Sequence, residues 1–225
     1  MTKCNKHLSI MMGIFTLSVF LFTGCLKEGD DTIVLPFPIE KIPYDVIPEH
    51  IQDSLTRHGF VIHEGGTPPK VEGIFVASPM DLQIASDNYV NPNFRYLYMA
   101  FSGQHLRGKI NYRQVQYDTI FLNEERLDEV MADASVAQVI GTKADNKFTM
   151  YCIQTIVPPD SSWWCKTASV VSGVLVDDGI KNCQYAEYII DRGGDVSRLS
   201  EVGTYRTWND GDGLANQVFE NIPKK

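Results

Sequence analysis

The sequence predicts an all-β protein, a single antiparallel barrel of about 8–10 strands with one or two short helices. After Gly59 the chain consists of short β-rich segments separated by turn residues. Residues 110–122 alternate between apolar and polar side chains, the period of a strand. The connections, such as Asp177-Asp178-Gly179, are short and rich in turn formers. Sequential strands with short connections pair as antiparallel neighbours, and closing the sheet removes its edges.

The N-terminal segment has the order of a secretory signal. Residues 1–7 contain Lys3 and Lys6 with no acidic residue, residues 8–22 are mostly apolar, and the small residue Gly24 precedes Cys25. The apolar run is shorter than the roughly 20 residues that a transmembrane helix needs. A retained helix and an ordinary cleaved signal peptide are the two alternatives.

The end of this segment, residues 21–25, resembles a bacterial lipoprotein signal. The resemblance implies that residues 1–24 are a signal peptide and that Cys25 carries the lipid anchor. Two or three acyl chains on Cys25 would hold the protein stably on a membrane. Leu26 follows the cysteine where an Asp commonly retains lipoproteins at the inner membrane, which favours the outer membrane. The acidic run at residues 28–31 resembles the tethers that send some lipoproteins to the cell surface, but it also suits a solvated linker. The sequence therefore leaves open whether the protein lies on the periplasmic face of the outer membrane or on the cell surface.

Residues 25–47 are predicted to be a proline-rich linker, and residues 48–225 the barrel domain. Pro36, Pro38 and Pro43 disfavour regular structure in the linker. Residues 48–58 are expected to form a helix, with Pro48 in the first turn and Gly59 at its end. Its apolar stripe favours packing over one end of the barrel.

The β-rich segments follow in order. Within residues 110–122, Val115 and Tyr117 are expected on one side and Gln114 on a wet side. Asn123 is a candidate cap for a second helix, over residues 123–132. The predicted strands are 60–63, 71–78, 94–101, 110–122, 135–141, 148–157, 164–176, 183–190 and 203–208.

Charge and cysteine content restrict the function. The net charge of −8 argues against nucleic acid as a partner, because phosphate binding needs clusters of Lys and Arg. Cys152, Cys165 and Cys183 remain beside the anchor, so at most one internal disulfide can form. The sequence leaves open which two would pair, and whether all three are free thiols.

Catalytic signatures are absent from the sequence, which contains no GxSxG, HExxH, GxGxxG or Walker motif. We therefore expect a non-enzymatic protein without a cofactor. Asp210 and Asp212 give residues 209–213 the acidic density of a calcium loop but not its spacing or its terminal Glu. A Gly-rich turn is the favoured interpretation, and no metal is expected.

Aromatic side chains are the candidate ligand-binding residues. Trp163 and Trp164 are adjacent on a predicted strand, so they should point to opposite faces. The exposed one is a platform for a sugar ring or an apolar ligand, or an incidental surface residue. Further candidates to line the barrel, or simply to fill it, are Tyr96, Tyr98, Tyr151, Tyr185 and Tyr188.

Two family resemblances add to this interpretation. Gly73-Ile74-Phe75, which follows a predicted helix, resembles the opening of lipocalins, with Phe75 where that pattern has Trp. Residues 63–73, 146–149, 179–182 and 210–213 are similar to an uncharacterised family of Gram-negative bacterial lipoproteins with lipocalin-like (calycin-like) β-barrels. The resemblance implies a barrel and a lipid anchor, and it implies no activity.

Together these observations predict a non-enzymatic, membrane-anchored envelope lipoprotein. We expect its barrel mouth to bind a small apolar or glycan ligand, or a protein partner. The alternative is a structural or assembly lipoprotein with a solid barrel and no ligand. An open interior would favour the first function, and an interior filled by side chains the second.

Overall fold

The described part of the chain forms twelve β-strands in one sheet that closes on itself. The computed structural model describes residues 47–89, 93–94, 96–105, 108–117, 130–157 and 161–219. Within this part of the chain α1 is Glu49–Arg57, and 3-10 turns lie at Lys143–Asp145 and Val196–Arg198. The strands are β1 Gly66–Thr67, β2 Gly73–Ala77, β3 Met80–Ala85, β4 Asn93–Phe94, β5 Tyr96–Ser102, β6 Lys109–Tyr117, β7 Val130–Thr142, β8 Lys147–Val157, β9 Trp163–Val176, β10 Gly179–Gly194, β11 Tyr205–Asp210 and β12 Leu214–Val218.

These strands combine into an eight-stranded antiparallel barrel. Strand β10 pairs with β12 through Gly179–Lys181 and with β11 through Gln184–Tyr188, so β11 and β12 act as one bent strand. Strands β2 and β3 form a second bent strand, which pairs with β12 and β11 and closes the ring. Strands β4 and β5 continue the order beside β3 and β2. Each long strand therefore pairs with its neighbours in the chain, as the sequence predicts, in an arrangement compatible with a lipocalin-like fold.

Alternation along each strand separates an inward face from an outward one. On β5, Leu97, Met99 and Phe101 join the barrel core, whereas Tyr96 and Tyr98 belong to a separate cluster on the outer wall. Burying one such large apolar side chain stabilises the fold by about 1.5–3 kcal/mol.

Helix α1 packs on the outer wall of the barrel. Ile51 and Leu55 of the helix, and Ile47 just before it, contact a cluster that includes Tyr151 on β8 and Val170 on β9. Val170 neighbours Val171, which points into the core, so the cluster lies on the opposite face of the strand. The expectation that the helix covers one end of the barrel is therefore wrong. The outer face of β8–β10 offers apolar side chains, and the helix covers them there.

After the helix, residues 59–67 form a strap across the outer wall. Val61 N–H donates to Gln184 Oε1 of β10 at 2.7 Å, Ser172 Oγ of β9 donates to the Val61 carbonyl, and His63 N–H donates to Thr149 Oγ1 of β8 at 2.7 Å. The strap ends in β1, which pairs in parallel with β7. The prediction of a strand at residues 60–63 is wrong, because the backbone groups of this segment form hydrogen bonds with side chains and not with the backbone of a neighbouring strand.

Several other boundaries differ from the prediction. Residues 123–129 of the predicted second helix lie outside the described residues, but residues 130–132 belong to strand β7. Residues 191–194, which lie beyond the end of the predicted strand 183–190, extend β10. Strands β1, β3 and β12 are absent from the prediction. Within the described chain, no helix has both the length and the apolar character needed to cross a membrane.

Candidate functional site

The lower end of the barrel is filled by aromatic and apolar side chains. We define the lower end by the β7–β8 and β9–β10 connections and the upper end by the β8–β9 and β10–β11 connections. The Phe101 ring lies 5.9 Å from that of Phe75 and 6.4 Å from that of Phe148, centroid to centroid. Higher in the barrel, Trp208 stacks on Tyr185 at 5.5 Å. This part of the interior is a packed core.

A layer of neutral polar side chains lies above this core, also facing inward. Tyr112 Oη donates to Gln114 Oε1 at 2.9 Å, and Gln114 Nε2 donates to Tyr185 Oη at 3.1 Å. Ser169 Oγ lies 3.2 Å from Tyr185 Oη and accepts from Gln154 Nε2 at 2.8 Å. We call this set, completed by Thr167, the polar layer; each of its side chains is at most 2 % exposed.

One atom of the polar layer lacks a donor. Gln154 is 2 % exposed, and its Oε1 accepts no hydrogen bond within the described residues. A buried acceptor without a donor costs about 1–3 kcal/mol. A ligand or an ordered water that donates to Gln154 Oε1 would recover this cost.

The upper end combines an apolar cluster with a charged network. Ile156, Cys165 and Ile189 point inward and pack with Trp163 and Leu199. The charged network is centred on Arg206 of β11, which also faces inward.

Arg206 joins three segments near the mouth. Its guanidinium contacts Asp87 at 2.5 Å and Glu187 at 3.7 Å, and lies 4.0 Å from the centroid of the Tyr89 ring. Burial opposes the ionisation of Asp87, but hydrogen bonds from Arg206 and Ser200 outweigh it and lower the pKa of this carboxyl. The network therefore ties residues 87–89 and Ser200 to the barrel wall.

The two adjacent tryptophans lie on opposite faces, as strand alternation predicts. Trp163 is half-buried and packs in the upper apolar cluster. Trp164 is 36 % exposed on the outer wall, where its indole lies against Gly193. A side chain at position 193 would clash with this indole. Trp163 is therefore the tryptophan that borders the barrel interior.

Most of the candidate tyrosines do not line the interior. Tyr96 and Tyr98 pack with Val115 on the outer wall, and Tyr151 and Tyr188 lie in the cluster that α1 covers. Of the five, Tyr185 faces inward. The expectation that Tyr96, Tyr98 and Tyr151 line a barrel cavity is therefore wrong. On β5 and β8 the inward positions are the residues next to these tyrosines in the sequence, so the tyrosines themselves point outward.

The two sides of β6 are also reversed from the prediction. Gln114, expected on a wet face, is 1 % exposed inside the barrel, and Val115 is buried on the outer wall. Sequence reasoning missed Gln114, Gln154, Thr167, Ser169 and Arg206 as interior residues. Each of them lies two residues along its strand from a buried apolar or aromatic core side chain, but a period of two does not show which face of the strand is inward.

A separate cavity, which we call the wall cleft, opens on the outer wall near the lower end. Its volume is about 460 Å³. It is lined by Val61, His63, Lys147, Val174, Asn182, Cys183, Gln184, Asn209, Asp210 and Gly213.

Asp210 is the acidic residue of the wall cleft. Burial is the largest of the effects that raise the pKa of Asp210 to about 7, and the negative charges of Asp212 and, more weakly, Asp81 add to it. The pKa is raised although Asp210 Oδ1 accepts a hydrogen bond from Ser78 N–H at 2.9 Å, which favours the ionised form. Asp212 Oδ1 accepts from Leu214 N–H at 3.0 Å, as a turn residue does. The described residues contain no group of three or more His, Cys, Asp or Glu side chains arranged to hold a metal ion.

The three cysteines of the barrel, Cys152, Cys165 and Cys183, are buried free thiols. Burial raises the pKa of the Cys165 thiol to about 11, and it raises the pKa values of Cys152 and Cys183 further. Thiols in this state are poor nucleophiles. This resolves the alternatives that the sequence left open in favour of no internal disulfide.

Comparisons of the chain with protein-family models, with curated protein sequences and with solved structures give no significant match. The signal segment, Cys25 and linker residues 25–46 lie outside the described residues.

Proposed function

We propose that this protein is a non-enzymatic envelope lipoprotein whose barrel binds a small amphiphilic ligand in its upper half. The ligand donates a hydrogen bond to Gln154 Oε1 and places apolar surface against Trp163 and its neighbours. Anchoring through Cys25 rests on the sequence of residues 1–25. The outer membrane is the proposed location.

The observation that supports ligand binding most is the polar layer with its unpaired acceptor. A barrel that served only as a solid support would be expected to fill its interior with apolar side chains, because buried polar groups cost free energy unless fully paired. Here Gln154 is only 2 % exposed and has one oxygen unpaired, directly below the apolar cluster of the mouth. A molecule that reached this part of the barrel would gain a polar contact at Gln154 Oε1 and an apolar contact with the cluster above it.

The packing of the lower barrel favours a second candidate function. Phe75, Phe148, Met99 and Met150 are each at most 1 % exposed in the core. If side chains and water also fill the upper half, the protein is a structural or assembly lipoprotein that contacts partners through its outer surface.

Native mass spectrometry of the full-length protein extracted from membranes separates the two functions. We expect a co-purifying small molecule on the wild type, loss of it in Gln154→Met, and retention in Gln83→Met, which changes an exposed glutamine on β3. Circular dichroism checks that the variants fold. A wild-type protein that carries no small molecule, or a Gln154→Met variant that folds and still carries it, would refute the proposal.

A further inference from the structure

The wall cleft lies where the barrel wall is interrupted. Strand β10 pairs with β12 as far as Lys181 and with β11 from Gln184 onward, so its ladder is interrupted at residues 182–183. The interruption lies opposite the bend at residues 210–213, between β11 and β12. Asn182 N–H still donates to the Gly213 carbonyl at 2.9 Å, so one bond spans the break. Strap residues Val61 and His63 also line the cleft. The cleft is therefore built from several elements that hydrogen bonds hold together.

Side chains around the wall cleft have unused hydrogen-bonding groups. Within the described residues, the side-chain amide of Asn182 and the ring of His63 make no hydrogen bond to the protein. Burial and then the charge of Lys147 lower the pKa of His63, so its ring is neutral at pH 7 and offers one donor and one acceptor. Lys147 itself pairs with exposed Asp145 at 3.1 Å, a contact worth little in water.

The charges of the cleft restrict the kind of ligand. At neutral pH Lys147 is positive and Asp210, with its pKa of about 7, is partly ionised, so the cleft carries charge of both signs. Hydroxyl groups both donate and accept, and thus suit a lining of mixed donors and acceptors. Val61 and Val174 add apolar surface, against which the C–H groups of a sugar ring can pack. A volume of about 460 Å³ lies within the range of small-molecule sites.

We propose that the wall cleft is a saccharide-binding site, separate from the barrel mouth, which takes a neutral mono- or disaccharide unit through Asn182, His63 and Lys147. The shared chemistry is the polyhydroxyl ring. It can be supplied by a free sugar or by the end of a longer glycan.

The test uses full-length protein in detergent with two sets of probes. Free maltose, cellobiose, lactose and N,N′-diacetylchitobiose are titrated by saturation-transfer NMR, and binding is also measured to the same sugars linked to a surface through their reducing ends. If both sets of probes bind, the exposed end of a glycan is sufficient for binding to the wall cleft. If only the free sugars bind, the cleft takes a whole free sugar. Either result supports the proposal.

Two variants and one matched control locate the binding. Asn182→Gly removes the amide and keeps the left-handed backbone, since φ of Asn182 is 52°. Lys147→Ala removes the cleft ammonium, and Lys143→Ala makes the same charge change on an exposed residue outside the cleft. We expect about 3- to 10-fold weaker binding in Asn182→Gly and in Lys147→Ala, and unchanged binding in Lys143→Ala.

Two results would overturn this assignment. One is that none of the saccharides binds in either set of probes. The other is that binding occurs and both cleft variants retain wild-type affinity. Because Gln154→Met leaves the wall cleft intact, it should leave saccharide binding unchanged, so failure here is distinguishable from failure of the barrel-mouth function.

Discussion

Replacing Asp210 by asparagine should change how stability depends on pH. In the folded protein burial and the neighbouring carboxyls raise the pKa of Asp210 to about 7, from an ordinary value of 3.8. The unfolded chain therefore releases this proton at a lower pH than the folded chain. Stability from this group is fully present below the ordinary value and is lost as the pH rises to about 7. The asparagine of the variant carries no such proton, while its side-chain oxygen can still accept from Ser78 N–H.

The magnitude follows from the size of the pKa shift. At about 1.36 kcal/mol for each pKa unit, the whole shift corresponds to about 4 kcal/mol, of which about 2.7 kcal/mol falls between about pH 5 and about pH 8. Water in the adjoining cleft screens the carboxyl, so we halve this value to about 1.4 kcal/mol.

Urea unfolding at these two pH values measures the effect. The wild type should lose about 1.4 kcal/mol more unfolding free energy than Asp210→Asn on going from the lower to the higher pH. Asp178→Asn, which changes an exposed aspartate in the β9–β10 turn, is the control and should follow the wild type. Parallel pH dependence in wild type and Asp210→Asn, or a difference of opposite sign, would refute the reasoning.

Three further predictions test the anchor, the helix and the thiols. Cys25→Ser should abolish acyl labelling and release the protein from membranes; a variant that stays membrane-bound would contradict the anchor. Leu55→Ala, which removes a side chain 1 % exposed between α1 and the barrel, should lower the unfolding free energy by about 2–5 kcal/mol, whereas exposed His50→Ala should cost little; equal effects would contradict the packing of the helix on the wall. In the mature protein, which lacks residues 1–24 and carries lipid on the Cys25 sulfur, a thiol reagent at neutral pH should label no site in the folded state and three sites after unfolding; a disulfide seen by mass spectrometry without reductant would contradict the free state of Cys152, Cys165 and Cys183.

The barrel could be predicted from the sequence because its signals are local. Turn residues such as Asp177-Asp178-Gly179 separate segments with strand composition, and short connections leave antiparallel pairing as the simple outcome. The strap at residues 60–63 could not be predicted in the same way. Its composition suits a strand, but distant side chains, Gln184 and Thr149, bind its backbone.

The candidate site was harder to predict, because a period of two does not show which side of a strand is inside. Gln114 and Val115 illustrate this: the glutamine faces the interior and the valine the outer wall, where Tyr96 and Tyr98 cover it. A closed barrel with a covered outer wall buries both faces. Hydrophobicity alone then does not show which face of a strand points into the barrel. The polar layer can be recognised only once the strands that carry its side chains are assembled into the barrel.

A crystal structure of the full-length protein isolated from its own membranes would test the proposed function most directly. We predict a bound small molecule in the upper barrel, with a donor atom within hydrogen-bond distance of Gln154 Oε1 and apolar atoms against Trp163. An upper interior occupied only by side chains and ordered water would contradict the proposal and leave the solid-barrel function.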